Sequence, residues 1–345
     1  MATTKVSTDV IDMSGNTGGL TWVKGTTGDQ PAGALGELRV NTTTKKTQIY
    51  TDVTGTGSWQ NLKESTATFG VDFLIVAGGG GGGAETGRTN GGGGAGGLRT
   101  SYGSNSGGGA PSENSLQITS NTDYNVTVGD GGSINTSGEN SQFATIVSIG
   151  GGPGKALTDN SADGGSGGGG CNSGGFTNAR VGGAGTPVQG FDGGDSNLSG
   201  GGRGAGGGGA GAEGSNSSGD AGGNGGVGLE VGITGSNVFY AGGGGGAGKD
   251  NAAGGTGGNG GGGNGESNNG NNATAGTANT GGGGGGAFET GAKAGGKGFV
   301  VLRYPNTFTL TVGTGSLTTG QLNTAVGSDE KYTTFTGGSG KISFS

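Results

Sequence analysis

The sequence predicts an all-β protein, a β-sandwich carrying an array of polyglycine II helices and flanked by small β modules. Glycine supplies 101 of the 345 residues, and 85 of these fall within residues 70–298. Short apolar segments recur through that region, each running into or out of a glycine run. The flanks are rich in Thr and Val and lack long helical patterns. With 27% hydrophobic residues, a conventional side-chain core cannot extend through the whole length. Collagen is excluded, because there are 5 prolines and no sustained period of three.

Three domains are expected: 1–69, 70–304 and 305–345. In the first, Gly36-Glu-Leu38-Arg-Val40-Asn alternates apolar with polar and Lys46-Thr-Gln48-Ile49-Tyr50 follows, which predicts a hairpin. Ser58-Trp59-Gln-Asn-Leu62 adds a third strand after the Gly55-Thr-Gly57 turn. The preceding thirty-odd residues have little periodicity and are expected to form an extended arm that orders on a partner, with Trp22 as its anchor.

The second domain opens with an apolar strand over residues 71–77 and closes with another over 298–304. Between them, 124–128, 143–149 and 237–241 are predicted as strands that pair into one sandwich, so that the glycine runs project together from one end. A glycine run has two readings. Gly/Ser tracts usually behave as flexible linkers, since glycine loses the most entropy on ordering. Alternatively, threefold extended chains without Cβ atoms approach closely enough to exchange backbone hydrogen bonds, so that backbone satisfaction replaces side-chain packing. Repeated returns to apolar strands favour the second. Chain turns at the far tips are then expected at residues 85–90, 171–180, 186–192, 249–251 and 264–279. The last 40 residues are expected to form a separate small β-unit.

The composition points away from catalysis. There is no histidine, hence no common general base or metal ligand. Gly164-Gly-Ser166-Gly-Gly168 matches a hydrolase elbow by chance, since no triad can be completed. Cys171 is the single cysteine, so no intrachain disulfide or cysteine-rich zinc site forms. Asp192 and Asp195 could offer oxygens to Ca²⁺ but match no calcium repeat, and a solvated acidic turn is the simpler reading. No cofactor and no metal are expected. A net charge of −7 argues against nucleic acid, and no apolar run approaches the roughly 20 residues a membrane helix needs.

Two stretches carry a resemblance. Gly36-Glu-Leu-Arg-Val-Asn-Thr, with Gln48-Ile-Tyr50 and Gly57-Ser-Trp59-Gln-Asn-Leu62, resembles the short amino-terminal module of bacteriophage tail-fibre proteins. Phe73-Leu-Ile-Val-Ala-Gly-Gly-Gly-Gly, Tyr124-Asn-Val-Thr-Val-Gly, Tyr240-Ala-Gly-Gly-Gly-Gly-Gly and Gly298-Phe-Val-Val-Leu-Arg-Tyr resemble the glycine-rich domain of phage adhesins and some receptor ectodomains. That domain is a β-sandwich with a hexagonal array of polyglycine helices, and in phage adhesins its tip loops contact the host receptor. The resemblance implies a fibre or adhesin in the virion, assembled in the host cytoplasm, which agrees with an amino terminus lacking an apolar signal segment. Its partners would be other virion proteins and a bacterial outer-membrane protein or polysaccharide, and a homotrimer is expected.

Trp22 and Trp59 are the candidates for virion attachment. Phe176, Asn178, Arg180, Gln189 and Phe191 are those for receptor contact, because aromatic and Arg side chains supply most binding energy at surfaces. Phe176 and Phe191 could equally pin the bundle's turns. The alternatives are a purely structural decoration fibre, an ice-binding protein with a flat face of small residues at threefold spacing, and a flexible matrix polymer.

Overall fold

A computed structural model of the chain describes residues 23–25, 38–41, 46–51, 58–61, 66–155, 162–171, 181–196, 203–249, 252–267, 273–289 and 291–345. The chain divides into two units, Met1–Ser65 and Thr66–Ser345. The boundary falls before residue 70 because the first long strand of the second unit begins at Thr68.

Alternation in the amino-terminal sequence becomes a small sheet of β1 (Val23–Gly25), β2 (Leu38–Asn41), β3 (Lys46–Thr51) and β4 (Ser58–Asn61), in that spatial order. The expected hairpin pairs Leu38 with Ile49, and the expected third strand sets Trp59 opposite Tyr50. The short β1 joins β2 in parallel. It has no counterpart in the sequence reading, since three residues that pair through their backbone leave no periodic trace.

The second unit contains β5 (Thr68–Val76), β6 (Glu85–Thr89), β7 (Leu98–Thr100), β8 (Leu116–Thr119), β9 (Tyr124–Val128), β10 (Ser141–Phe143), β11 (Ile146–Ser148), β12 (Leu229–Val231) and β13 (Val238–Tyr240). It continues with β14 (Phe288–Glu289), β15 (Phe299–Pro305), β16 (Leu310–Gly315), β17 (Thr318–Thr319), β18 (Thr324–Val326) and β19 (Glu330–Phe344). The main sheet runs β11-β10-β9-β19-β15-β5-β7, with β8 on β5 and β16, β17 and β18 on β19. β12 pairs with β13, and β14 with β6.

The central strands β5 and β15 are antiparallel neighbours with both faces covered. Phe69, Val71, Phe73 and Ile75 of β5, with Val300, Leu302 and Tyr304 of β15, face a core that also holds Phe143, Phe335, Ile342 and Phe344. The intervening Leu74, Val76 and Val301 face a second core closed by Val231, Ile233 and Tyr240 around the β12–β13 hairpin. Three alanines from glycine runs, Ala95, Ala210 and Ala241, complete that second core. This is the period-two alternation of a strand read on both sides.

Two expectations about the strands are corrected. Residues 143–149 do not form one strand. The backbone reverses at Ala144, whose φ is 50°, and the segment becomes the β10–β11 hairpin with Phe143 opposite Ile146. Nor are the last 40 residues separate. β19 pairs with β15 through Val300↔Phe335 and Tyr304↔Lys331, then with β9 through Gly338↔Val128 and Ile342↔Tyr124. The corner between the two pairings falls at Gly338, whose φ of 80° suits glycine. β19 thus joins the layers of the sandwich, and its Phe335, Ile342 and Phe344 are fully buried.

Tyr304 links this core to the carboxy-terminal loops. Its hydroxyl donates to Asn323 Oδ1 at 2.8 Å and shares a hydrogen bond with Thr333 Oγ1 at 2.7 Å. Burial, partly offset by the bond with Thr333, pushes the phenol up to about 12. A raised phenol favours the protonated folded form. Stability is therefore complete below the ordinary tyrosine value of about 10 and falls as pH rises from there to about 12, by roughly 2–3 kcal/mol. Urea unfolding across that window should show this loss, and Tyr304→Phe should remove its share of the slope.

Candidate functional site

The glycine runs are held by backbone hydrogen bonds whose partners repeat every third residue. Along the run that follows β5, the amides of Ala77, Gly80 and Gly83 donate to Gly97, Gly94 and Gly91. Those of Gly78 and Gly81 donate to Glu139 and Thr136, and those of Gly79 and Gly82 to Gly296 and Lys293. The carbonyls obey the same rule, Gly78 and Gly81 accepting from Gly151 and Gly154, Gly79 and Gly82 from Gly132 and Asn135, and Gly80 and Gly83 from Gly284 and Ala287. Successive residues therefore point in three directions, and the run is enclosed by six chain segments. The run after β13 follows the same period. Gly242 and Gly245 donate to Gly260 and Gly263, Gly243 and Gly246 to Gly226 and Gly223, and Gly244 and Ala247 to Gly93 and Asn90.

Side chains are excluded from the interior by distance. A Cβ built on Gly80 would lie 2.0 Å from Gly152 O, and one on Gly244 2.1 Å from Gly284 O. Peripheral runs show the complementary pattern. In Ala221-Gly-Gly-Asn224-Gly-Gly-Val227, Gly223 and Gly226 are buried whereas Ala221, Asn224 and Val227 are exposed. Side-chain oxygens then finish the edge of the hydrogen-bond lattice. Asp192 Oδ1 accepts Gly185 N–H at 2.7 Å, Asp195 Oδ1 accepts Gly182 N–H at 2.8 Å, and Asn224 Oδ1 accepts Thr256 N–H at 2.8 Å. The acidic pair thus has a structural role as caps on exposed amides.

The bundle has two chemically different ends. At the sheet-side end lie the strand junctions and the turn at residues 186–190, where Gln189 O accepts Leu98 N–H as β7 begins. At the outer end, β6 and β14 pair across residues 85–89. Asn90 is fully buried and donates from Nδ2 to Ala287 O at 2.8 Å; Glu266 Oε2 accepts Phe288 N–H at 2.9 Å. Arg203, 1% exposed, pairs with Asp220. Asn90 and Glu266 sit in turns the sequence places at the far tips, whereas their roles, and Arg203 altogether, escape a reading of the sequence, the trace being a charged or amide side chain flanking a glycine run.

The predicted site residues are thereby separated. Gln189 is at the sheet-side end, 8% exposed, with Oε1 accepting Ile149 N–H at 2.8 Å, and does not belong to a far tip. Its amide is used within the frame because Ile149 leaves β11 without a ladder partner there. Phe191 lies at the same end, its ring against Gly109, and it donates its N–H to Gly209 O. That place suits a residue pinning a turn. Phe176, Asn178 and Arg180 fall outside the described residues. The chain reaches them from Cys171 and resumes at Val181, both at the outer end: Cys171 O accepts from Ser196 Oγ, and Val181 O accepts from Lys155 Nζ at 3.1 Å. Trp22 also falls outside the described residues, and Trp59 is in β4. No group of three or more His, Cys, Asp or Glu side chains placed to hold a metal occurs among the described residues.

Gly80→Ala or Gly244→Ala should therefore cost at least ~3 kcal/mol, beyond ordinary overpacking because the obstacle is backbone, while Val227→Ala should change stability by less than about 0.5 kcal/mol. Gln189→Ala, which strips Ile149 N–H of its partner, should cost roughly 1–3 kcal/mol. Chemical denaturation of the folded variants measures all of these.

No curated protein and no solved structure matches the chain. A family model described as a glycine-rich domain matches residues 51–305. That match spans most of the sequence and encloses the glycine runs together with strands β4 to β15, and the chain belongs to the glycine-rich domain family.

Proposed function

We propose that the chain is a fibre or adhesin of a bacteriophage virion, attached to the particle through its amino-terminal module and presenting the outer end of a polyglycine II bundle to a bacterial surface receptor. The observation that carries this reading is the contrast between the bundle and its outer end. The interior excludes side chains, while the connections carrying Phe176, Asn178 and Arg180 leave and re-enter at the end away from the sandwich. A frame held by backbone bonds fixes where such loops begin and end, which lowers the ordering cost of binding.

In this reading Trp22 and Trp59 anchor the chain to other virion proteins, and the receptor is an outer-membrane protein or a polysaccharide. Gln189 has no part in contact, since its amide oxygen is engaged by Ile149. The virion is the site of action, and the fibre is a homotrimer, which mass measurement in solution tests.

The loop can be tested without disturbing the frame. Replacing residues 172–180 by a Gly/Ser linker of equal length should leave the melting temperature unchanged and lower adsorption of the virion to its host by at least about tenfold, the loss of one good anchor. Undiminished adsorption would remove the receptor role and leave a structural fibre.

A further inference from the structure

A cleft of ≈ 440 Å³ opens at the sheet-side end of the second unit, between the Tyr102–Asn105 turn and the β12–β13 hairpin, and no part of the proposed function uses it. We infer that this cleft is a binding site for a neutral saccharide, distinct from the outer-end loops. Its polar lining comes from Ser104, Asn105, Glu230 and Asn237. All four are exposed, and they make no intramolecular side-chain hydrogen bond among the described residues, whereas Asp192, Asp195 and Asn224 spend theirs capping backbone amides. Two amides, a hydroxyl and a carboxylate offer both donors and acceptors, the mixture that vicinal hydroxyls require.

The walls are held in place from beneath. Arg303 Nη1 donates to Tyr102 Oη at 3.0 Å on one wall and to Ile233 O at 3.2 Å on the other. Glu330 Oε2 takes Nε at 2.9 Å and Nη2 at 2.5 Å, so the guanidinium is neutralised and fixed. Its carbon stands 4.9 Å from the Tyr102 ring centre. Such bracing makes a preformed site.

The chemistry narrows the class of ligand. Glu230 is the charged group among the described lining residues, and none of them is basic, which disfavours phosphate, sulfate or carboxylate. Directly across the hairpin from Glu230 stands Phe239, on the same outward face and 38% exposed. That ring does not line the cleft itself, but beside the Glu230 carboxylate that does, it offers an apolar face for sugar C–H groups next to a partner for a hydroxyl.

The test uses the full chain on an array of neutral mono- to tetrasaccharides, alongside charged glycans, with the retained glycan then titrated calorimetrically. Binding of a neutral glycan is expected, weakened roughly tenfold or more by Asn105→Ala, which removes a hydrogen-bonding group of the lining, and by Phe239→Ala, which removes the apolar face beside Glu230. Both positions are exposed, so folding is preserved, as a thermal melt would verify. The same glycan should bind undiminished when residues 172–180 are replaced by the Gly/Ser linker, which separates this site from the proposed receptor loop. Retention of no neutral glycan, retention of charged glycans alone, or undiminished binding by the two variants would each overturn the assignment.

Discussion

Everything in the second unit depends on one constraint: neighbouring chains approach until peptide N–H meets peptide C=O, at a separation no Cβ can share. Gly80 is enclosed so closely that an added methyl would overlap Gly152 O. Each such bond contributes ~1 kcal/mol net, whereas ordering each residue costs ~1–2 kcal/mol, so the bundle depends on help from elsewhere. The strands give that help by fixing the ends of the runs. β5 delivers one run at Ala77, β7 receives another after Gly97, and β13 releases a third at Ala241.

Substitutions within the glycine pattern follow from the same constraint. Where runs meet the second core, alanine appears, and Ala95, Ala210 and Ala241 pack with Leu74, Val76 and Tyr240. At the periphery, every third residue escapes the lattice and can be Asn, Ala, Thr or Val. Some of these outer side chains supply the carbonyl-like oxygen that an edge amide would otherwise lack, as Asn264 does for Gly257 at 2.8 Å.

A frame of this kind leaves its two ends free for different chemistry. The outer end is stitched by Asn90, Glu266 and Arg203 and supports the connections with the greatest side-chain variety. At the sheet-side end, the second hydrophobic core and the Arg303–Glu330 pair hold the β12–β13 hairpin against the Tyr102 turn. The sheet fixes one end of the runs, and the backbone lattice carries that order to the described residues of the other despite the scarcity of large side chains. Much of this is legible in the chain. The alternation Leu38-Arg-Val40 against Gln48-Ile49-Tyr50 specifies the first hairpin, and the apolar runs at 71–77 and 298–304 specify the central strands, because period and burial are local properties. The hairpin break at Ala144 is not legible, since an alanine with positive φ carries no sequence signal. Gln189 is misplaced by sequence for a related reason: a polar turn between glycine runs looks the same at either end of a bundle.

By itself, then, the sequence favours backbone over side-chain packing in the glycine runs between residues 70 and 298 and brackets those runs with strands, because glycine content and apolar spacing act locally. Only the tertiary structure decided which runs are neighbours, which end each turn occupies, and that β19 joins the layers of the sandwich. Those choices follow from hydrogen-bond partners as distant as Gly80 and Gly284, and polyglycine carries no side-chain code that could name its partner.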